Sequence, residues 1–263
     1  MPETKDDVPP MFYKYRSMTG ESAQWVERTV LQNEIYFAPA SSFNDPFDLR
    51  PVFSLDANPA RQKDDFLRMS KKFEPHLSES ERLSEARRVM ETSLSAENIE
   101  HTTAAIQELH AHYLSTNVGI LCVSTKRDDI LMWSHYADSH RGVCLEFDGM
   151  FAFMAHAQKV MYTHSRIPIN PYEDDSNAMM EKALLTKSAN WSYESEWRLC
   201  RYENGPGVVQ FRPQNLTGII IGALANTATQ QKVKEWAKKR VTPIRLYQAS
   251  TNGRKFELDI KQI

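Results

Sequence analysis

Two carboxylates stand one residue apart near the middle of the segment Trp191–Arg198, WSYESEWR. On a strand, Glu194, Glu196 and Arg198 share one face, while Tyr193, Ser195 and Trp197 share the other. Paired carboxylates repel each other unless a cation or charged ligand lies between them. They therefore suit stabilisation of a developing positive charge, or acid–base work, and Trp191 and Trp197 would keep the surroundings dry. The same pattern also suits an exposed strand face with cross-strand salt bridges. Taken as a lone strand-face carboxylate, Glu196 contributes little stability, so Glu196→Gln is expected to spare the fold.

Asp129–Asp148, DILMWSHYADSHRGVCLEFD, packs Trp133, Ser134, His135, Tyr136, His140 and Arg141 into nine residues. On a helix Trp133 and Tyr136 share a face. They form either part of a core or a substrate wall with His135 as hydrogen-bond donor. His135 and His140 are five apart, which fits neither helical metal pairing nor HExxH, so no metal is expected. Phe43–Asp48, FNDPFD, places Asn44 and Asp45 before Pro46, an Asx-type turn anchored by Phe43 and Phe47. It reads as a structural loop or as a recognition loop with Asn44 and Asp45 as polar contacts. Arg16 ends the aromatic segment MFYKYR. A strand-end Arg is either a surface residue or a bidentate ligand for phosphate or carboxylate.

These residues need elements to hold them. MFYKYR alternates as a strand with Tyr13 and Tyr15 on one face. Ser22 is placed to cap a helix bearing Trp25, Val26, Thr29 and Val30, and Ile35–Ala38 forms a strand stopped by Pro39. Residues 57–117 turn charged and helical, with stripes at Phe66, Met69, Phe73, then Leu83, Ala86, Met90, then Ile99, Ile106, Leu109 and Tyr113. Ser78 and Glu81 fit a capping box. This reads as a helical insertion into a single domain spanning 11–263, after a disordered lead-in at 1–10. Strands follow at 119–125, a near-continuous apolar run, and at 141–148, with a short helix around 132–137 between them. Residues 192–202 form a strand with 208–211 as its hairpin partner. Another strand covers 216–222, a helix capped by Thr227 or Thr229 follows, and two strands near 244–248 and 256–260 close the sequence. The class is α+β, with one mixed or antiparallel β core.

The chain has 263 residues, 41% hydrophobic and 25% charged, enough for a sizeable core. Its formal net charge of −2 argues against a broad nucleic-acid-coating or anionic-membrane surface. No GxGxxG or GxxxxGK[ST] string occurs, so the usual Gly-rich phosphate cradles are absent. Three cysteines without Cys-x-x-Cys fit a reduced compartment. The start MPETKDDVPP has no apolar core of a signal peptide, and no run of about 18 apolar residues occurs. A cytoplasmic protein without a membrane partner is expected.

The strings YKYR, FNDPFD, WSHYADSHRGVCLEFD and WSYESEWR, in this order, resemble the bacterial domain-of-unknown-function family 2971. The set Arg16, Ser124-Thr125 and Glu194-Ser195-Glu196 is more distantly similar to ADP-ribosyltransferases of the Arg–Ser–Glu type. That likeness implies a split sheet and NAD as substrate. It implies Arg16 on the pyrophosphate, Ser124 with Thr125 at the ribose, and Glu196 stabilising an oxocarbenium-like state. Glu194 would face an acceptor: protein, nucleic acid or small molecule. Trp133 or Tyr136 would stack on nicotinamide, and Asn44, Asp45, His135, His140 and Arg198 would line the pocket. Lys126 stands where the third member of a Ser-Thr-Ser strand would be. Two other readings stay open: a non-catalytic sensor or interaction protein of bacterial stress or phage defence, and a hydrolase or nuclease using His135, His140, Asp45 and Glu196. The oligomeric state is not legible.

Overall fold

The structure is a computed structural model that describes residues 8–55, 59–93, 96–151, 153–202 and 204–263. In chain order the first elements are β1 (Met11–Arg16), α1 (Gly20–Gln32), β2 (Glu34–Pro39), β3 (Val52–Phe53), α2 (Pro59–Phe73), α3 (Glu79–Ser93) and α4 (Ala96–Asn117). Next come β4 (Gly119–Ser124), α5 (Ile130–Tyr136), β5 (Val143–Asp148), β6 (Gln158–Lys159), β7 (Met161–Thr163), β8 (Pro168–Ile169), α6 (Ser176–Leu185) and β9 (Thr186–Ser188). The chain continues through β10 (Glu196–Arg201), β11 (Gly207–Gln210), β12 (Leu216–Ile221), α7 (Thr227–Lys239), β13 (Arg245–Thr251) and β14 (Leu258–Gln262). This is an α+β protein built on one large mixed sheet. Two compact units are present: Met1–Ser42 with Ser115–Tyr162 and Ala189–Ile263, and Phe43–Leu114 with Thr163–Ser188.

The first unit holds the large sheet, in the order β11-β2-β4-β1-β5-β12-β13-β14, with β10 on β4 and β6 on β10. Its pairings are antiparallel except β12–β13, which α7 connects as a parallel crossover. Alternation along the strands gives the sheet two apolar faces. Phe12, Leu121, Val123, Leu145, Phe147 and Trp197 face α1 and α7 through Val26, Val30, Val233 and Trp236. Tyr13, Tyr15, Cys144, Ile220 and Tyr247 face α5 through Met132 and Trp133. Gly142 is obligatory: a Cβ there would sit 2.2 Å from the Arg16 carbonyl oxygen.

Several local expectations are corrected. Helix α1 starts after Thr19, three residues before Ser22, with no side-chain cap. Helix α7 is capped by Asn226, whose side chain accepts the Thr229 N–H, because the helix begins at Thr227 itself. Strand β11 pairs with β2 and not with β10. The strand expected over 192–202 begins only at Glu196, because Ala189–Glu194 winds into a 3₁₀ turn and Ser195 is left-handed, at φ +46°.

In the second unit the charged segment forms α2, α3 and α4. The capping box is present: the Ser78 N–H donates to Glu81 Oε2 at 2.7 Å, and the Glu81 N–H donates to Ser78 Oγ at 3.3 Å. Ala86 and Leu114 are buried, but Leu109 and Tyr113 of the expected stripe are exposed. The side chains of Met69, Phe73, Met90 and Ile99 lie outside the described residues, as do residues 1–7 of the lead-in. Val8 packs partly on the first core, and the Pro10 carbonyl accepts the Gly149 N–H.

Trp133 is fully buried, edge-on to Tyr15 at 5.3 Å, with its Nε1–H donated to the Arg127 carbonyl at 2.9 Å. Trp133→Ala opens a cavity and orphans that carbonyl. The expected cost is about 3–5 kcal/mol in denaturant unfolding.

Candidate functional site

One row of the sheet brings the candidate residues together. Tyr13 of β1 lies opposite Ser124 of β4, and Ser124 lies opposite Glu196 of β10. Beyond that row β1 and β4 part. Tyr13–Ser124 is their single registered pair, and the far end of the same β4 edge is taken by β2 at Ile120 and Gly119. At this split Lys14 donates from Nζ to the Cys122 carbonyl at 2.6 Å. Arg16 follows two residues on. Both side chains are half-buried.

Arg16 has an unusual environment for a guanidinium withdrawn from water. Its electrostatic neighbours are Lys14 and Cys122, and it forms no ion pair or side-chain hydrogen bond among the described residues. Burial lowers its pKa. Lys14 is pushed down to about 8, first by burial and then by Arg16, with Cys122, Glu196 and Glu194 acting in the opposite direction. Lys14 was not among the residues singled out from sequence. The signal was there in the alternation, which sets Lys14 and Arg16 on the same side of β1.

Glu196 and Arg198 do share a strand face, and they close on each other. Arg198 is fully buried and donates through Nε to Glu196 Oε1 at 2.8 Å and through Nη2 to Oε2 at 3.1 Å. The Glu196 N–H donates to the Tyr162 hydroxyl at 2.9 Å. Glu194, by contrast, is not on that strand face. The left-handed Ser195 turns it away, and its carboxylate accepts the Tyr136 hydroxyl at 2.6 Å. The expected pair of carboxylates on one face is therefore replaced by one carboxylate–guanidinium pair and one carboxylate–phenol pair.

Ser124 is buried, and its hydroxyl donates to the Glu194 carbonyl at 2.6 Å while accepting the Lys126 N–H at 3.0 Å. The Thr125 N–H donates to the Ser195 carbonyl at 3.2 Å. This stretch clasps β4 to the turn before β10, and the hydroxyl's single donor is spent there. Burial pushes the Cys122 thiol up, so it is not a thiolate nucleophile.

Helix α5 starts at Asp129, whose carboxylate accepts the N–H groups of Leu131 and Met132 at 3.0 and 3.1 Å. It lays Trp133 in the core, so Trp133 cannot stack on a ligand. The half-buried Tyr136 and the exposed His135 belong to an aromatic surface group with Trp191 and Tyr193, and His135 Nδ1 is 2.8 Å from the Tyr193 hydroxyl. His140 is apart from them, stacked on Trp133 and 3.1 Å from Ser134 Oγ. It closes a left-handed turn in which Asp138, Ser139 and His140 all have positive φ.

Asn44 and Asp45 belong to the second unit. Asp45 makes the expected Asx turn, accepting the Phe47 N–H at 2.9 Å, while Asn44 is exposed. Phe47 is no anchor, being 63% exposed. The buried member of the motif is Asp48, ion-paired to Lys187 at 3.5 Å. Among the described residues no group of three His, Cys, Asp or Glu side chains could hold a metal ion. No helix among them is long and apolar enough to cross a membrane.

A family model described as a protein of unknown function (DUF2971) matches residues 132–199. That span carries Tyr136, the left-handed turn, Glu194, Glu196 and Arg198; Arg16 and Ser124 precede it. No curated protein and no solved structure matches the chain.

The Glu196–Arg198 pair changes what substitution should do. Glu196→Gln removes the charge opposite a fully buried guanidinium, so a loss of about 3–5 kcal/mol is expected rather than a neutral change. Denaturant midpoints of Glu196→Gln and of the double variant Glu196→Gln/Arg198→Met check this. The double variant should recover part of the loss.

Proposed function

We propose that the chain binds NAD, with the pyrophosphate on Lys14 and Arg16, and cleaves the bond between nicotinamide and ribose as an ADP-ribosyltransferase-like enzyme or glycohydrolase. One observation carries the reading. A half-buried guanidinium without a carboxylate partner lies beside an ammonium at the split of the sheet, on the side of β1 that Phe12 shares; the buried carboxylate of Glu196 stands across β4 in the Tyr13–Ser124 row, on the other side of the sheet. Cations withdrawn from water without a counter-charge are costly, and a bound polyanion removes that cost.

In the reaction the C1′–N1 bond breaks, and its electron pair leaves with nicotinamide, whose ring nitrogen becomes neutral. The ribosyl centre takes on oxocarbenium character, as in glycoside hydrolysis. Glu196, ion-paired with Arg198, supplies the compensating negative charge. An oxygen of water or of the acceptor then adds to C1′ and releases its proton to solvent. Ser124 serves this chemistry indirectly, by fixing the turn that carries Glu194. Tyr136 donates its hydroxyl to Glu194.

A second reading has its own support. The closed Glu196–Arg198 pair and the spent Ser124 donor favour a sensor that binds a nucleotide anion without cleaving it.

Calorimetry with NAD and chromatography for free nicotinamide separate the two. Binding with release that Glu196→Gln abolishes, in a variant confirmed folded, supports cleavage. Binding without release leaves the sensor. No binding at millimolar NAD overturns the cleavage reading, and no binding of ATP or GTP in the same assay overturns the sensor. Arg16→Ala is expected to weaken NAD binding at least about tenfold, the loss of one charge-assisted anion contact. Its unfolding midpoint should stay close to wild type, because no partner loses a hydrogen bond.

Affinity should also depend on pH. Lys14 is charged below its pKa of about 8 and neutral above it, so NAD affinity is expected to fall as pH rises from 7 to 9. Stability moves the opposite way. The lowered pKa means the unfolded chain binds more protons between about 8 and the ordinary 10.5, so this group's unfavourable contribution is relieved as pH rises through that window. Lys14→Arg should flatten the affinity profile; a steep profile in that variant would remove Lys14 from the binding site.

A further inference from the structure

Among the described residues, strand β14 ends the large sheet and pairs only with β13. Its hydrogen-bonding phase is set by two bonds: the Asn252 N–H donates to the Glu257 carbonyl and the Ile263 N–H to the Leu246 carbonyl, each at 3.0 Å. With Ala249 opposite Ile260, the amides of residues 257, 259, 261 and 263 turn towards β13. Those of Leu258, Ile260 and Gln262 turn outwards along the open edge.

We propose that this edge is a self-association surface, on which β14 of a second copy pairs antiparallel about a two-fold axis at Ile260. The side chains favour that occupant and that register. Centred on Ile260, the pairing sets Asp259 opposite Lys261 of the second copy, and Lys261 opposite its Asp259. Both are opposite-charge cross-strand pairs. Shifted to centre on Leu258, it would set Asp259 against Glu257, a like-charge pair. Lys261 has no partner within its own chain among the described residues. Asp259 is held in place by Asn252 Nδ2 at 3.1 Å.

The apolar residues agree. Phe256 is 99% exposed and Ile263 is 57% exposed, and the Ile260-centred register sets Ile263 opposite Glu257 of the second copy, with Phe256 at the next position along. Ile260 is only partly covered by the core on its face, and the partner strand would cover more of it. About six main-chain hydrogen bonds would form, from three outward-facing residues on each copy. An interface built on one short strand belongs to the small, reversible class, so association is expected at micromolar and higher concentrations.

Sedimentation velocity of the full chain over a concentration series tests this. Wild type should self-associate. Asp259→Lys and Lys261→Asp, each alone, should be monomeric, Lys261→Asp with an unfolding midpoint near wild type and Asp259→Lys with a small loss from giving up the Asn252 bond. Their equimolar mixture should form heterodimers, because all facing pairs are then opposite in charge. Ile260→Pro, which deletes an outward N–H, should also abolish association. A monomeric wild type overturns the proposal. So does self-association that survives Lys261→Asp, or mixed variants that stay monomeric.

Discussion

Strand β4 has two edges and must serve three neighbours. One edge is taken along its whole length by β10, from Gly119–Arg201 to Ser124–Glu196. The other is divided, with β2 at one end and β1 at the other. A strand cannot be paired twice along one edge, so β1 leaves β4 after a single registered pair and runs on alongside β5, with which it pairs over its full length. The opening between β1 and β4 follows from that division. An exposed stretch of strand edge would leave backbone groups without partners, and the Lys14 ammonium supplies one by donating to the Cys122 carbonyl.

Around this opening the fold treats charges in two different ways. The Glu196–Arg198 pair is internally satisfied, with both carboxylate oxygens accepting from one guanidinium; such a pair resists removal of either partner far more than it adds net stability. The Lys14–Arg16 pair is not satisfied in that way: two like charges lie on one strand side with burial lowering the pKa of both. The contrast is between a carboxylate and a guanidinium that bond each other and two cations that do not have a carboxylate bonded to them. A near-neutral chain can still present such a site, because net charge is a sum over the whole surface and an anion responds to the local field.

The end of β1 is held from below by a strained turn. Asp138, Ser139 and His140 are all left-handed, a conformation that costs ordinary L-residues roughly 1–2 kcal/mol each. The strain is offset by backbone bonds from His140 N–H to the Trp133 carbonyl, from Gly142 N–H to Ala137, and from Leu224 N–H to the His140 carbonyl. The ring of His140 stacked on Trp133 adds a further restraint. The turn ends at Gly142, pressed against the Arg16 carbonyl. Core packing of α5 and placement of Arg16 are thus one mechanical unit, which is why the chemistry-rich string around WSHY contributes buried supports as well as exposed rings.

Period-two alternation along YKYR and EWRLCR, and a near-continuous apolar run along GILCVS, determined by themselves that these segments are strands, and alternation set which side chains share a face. Local hydrogen-bonding chemistry likewise announced the Ser78–Glu81 box and the Asx turn at Asp45. Both are decided within a few residues, so tertiary context had little to change. The α+β class followed from the same local patterns. What sequence could not reveal was anything set by non-local partners or by a backbone torsion at one residue. Strand β11 joined β2 because pairing depends on where the sheet offers an edge. Glu194 left the strand face because Ser195 adopts positive φ, which no residue type there advertises. Whether Glu196 stood alone or bonded to Arg198 depended on burial, as did the lowered pKa of Lys14 and the enclosure of Trp133. Burial is a property of the assembled sheet, and only the tertiary structure decided it.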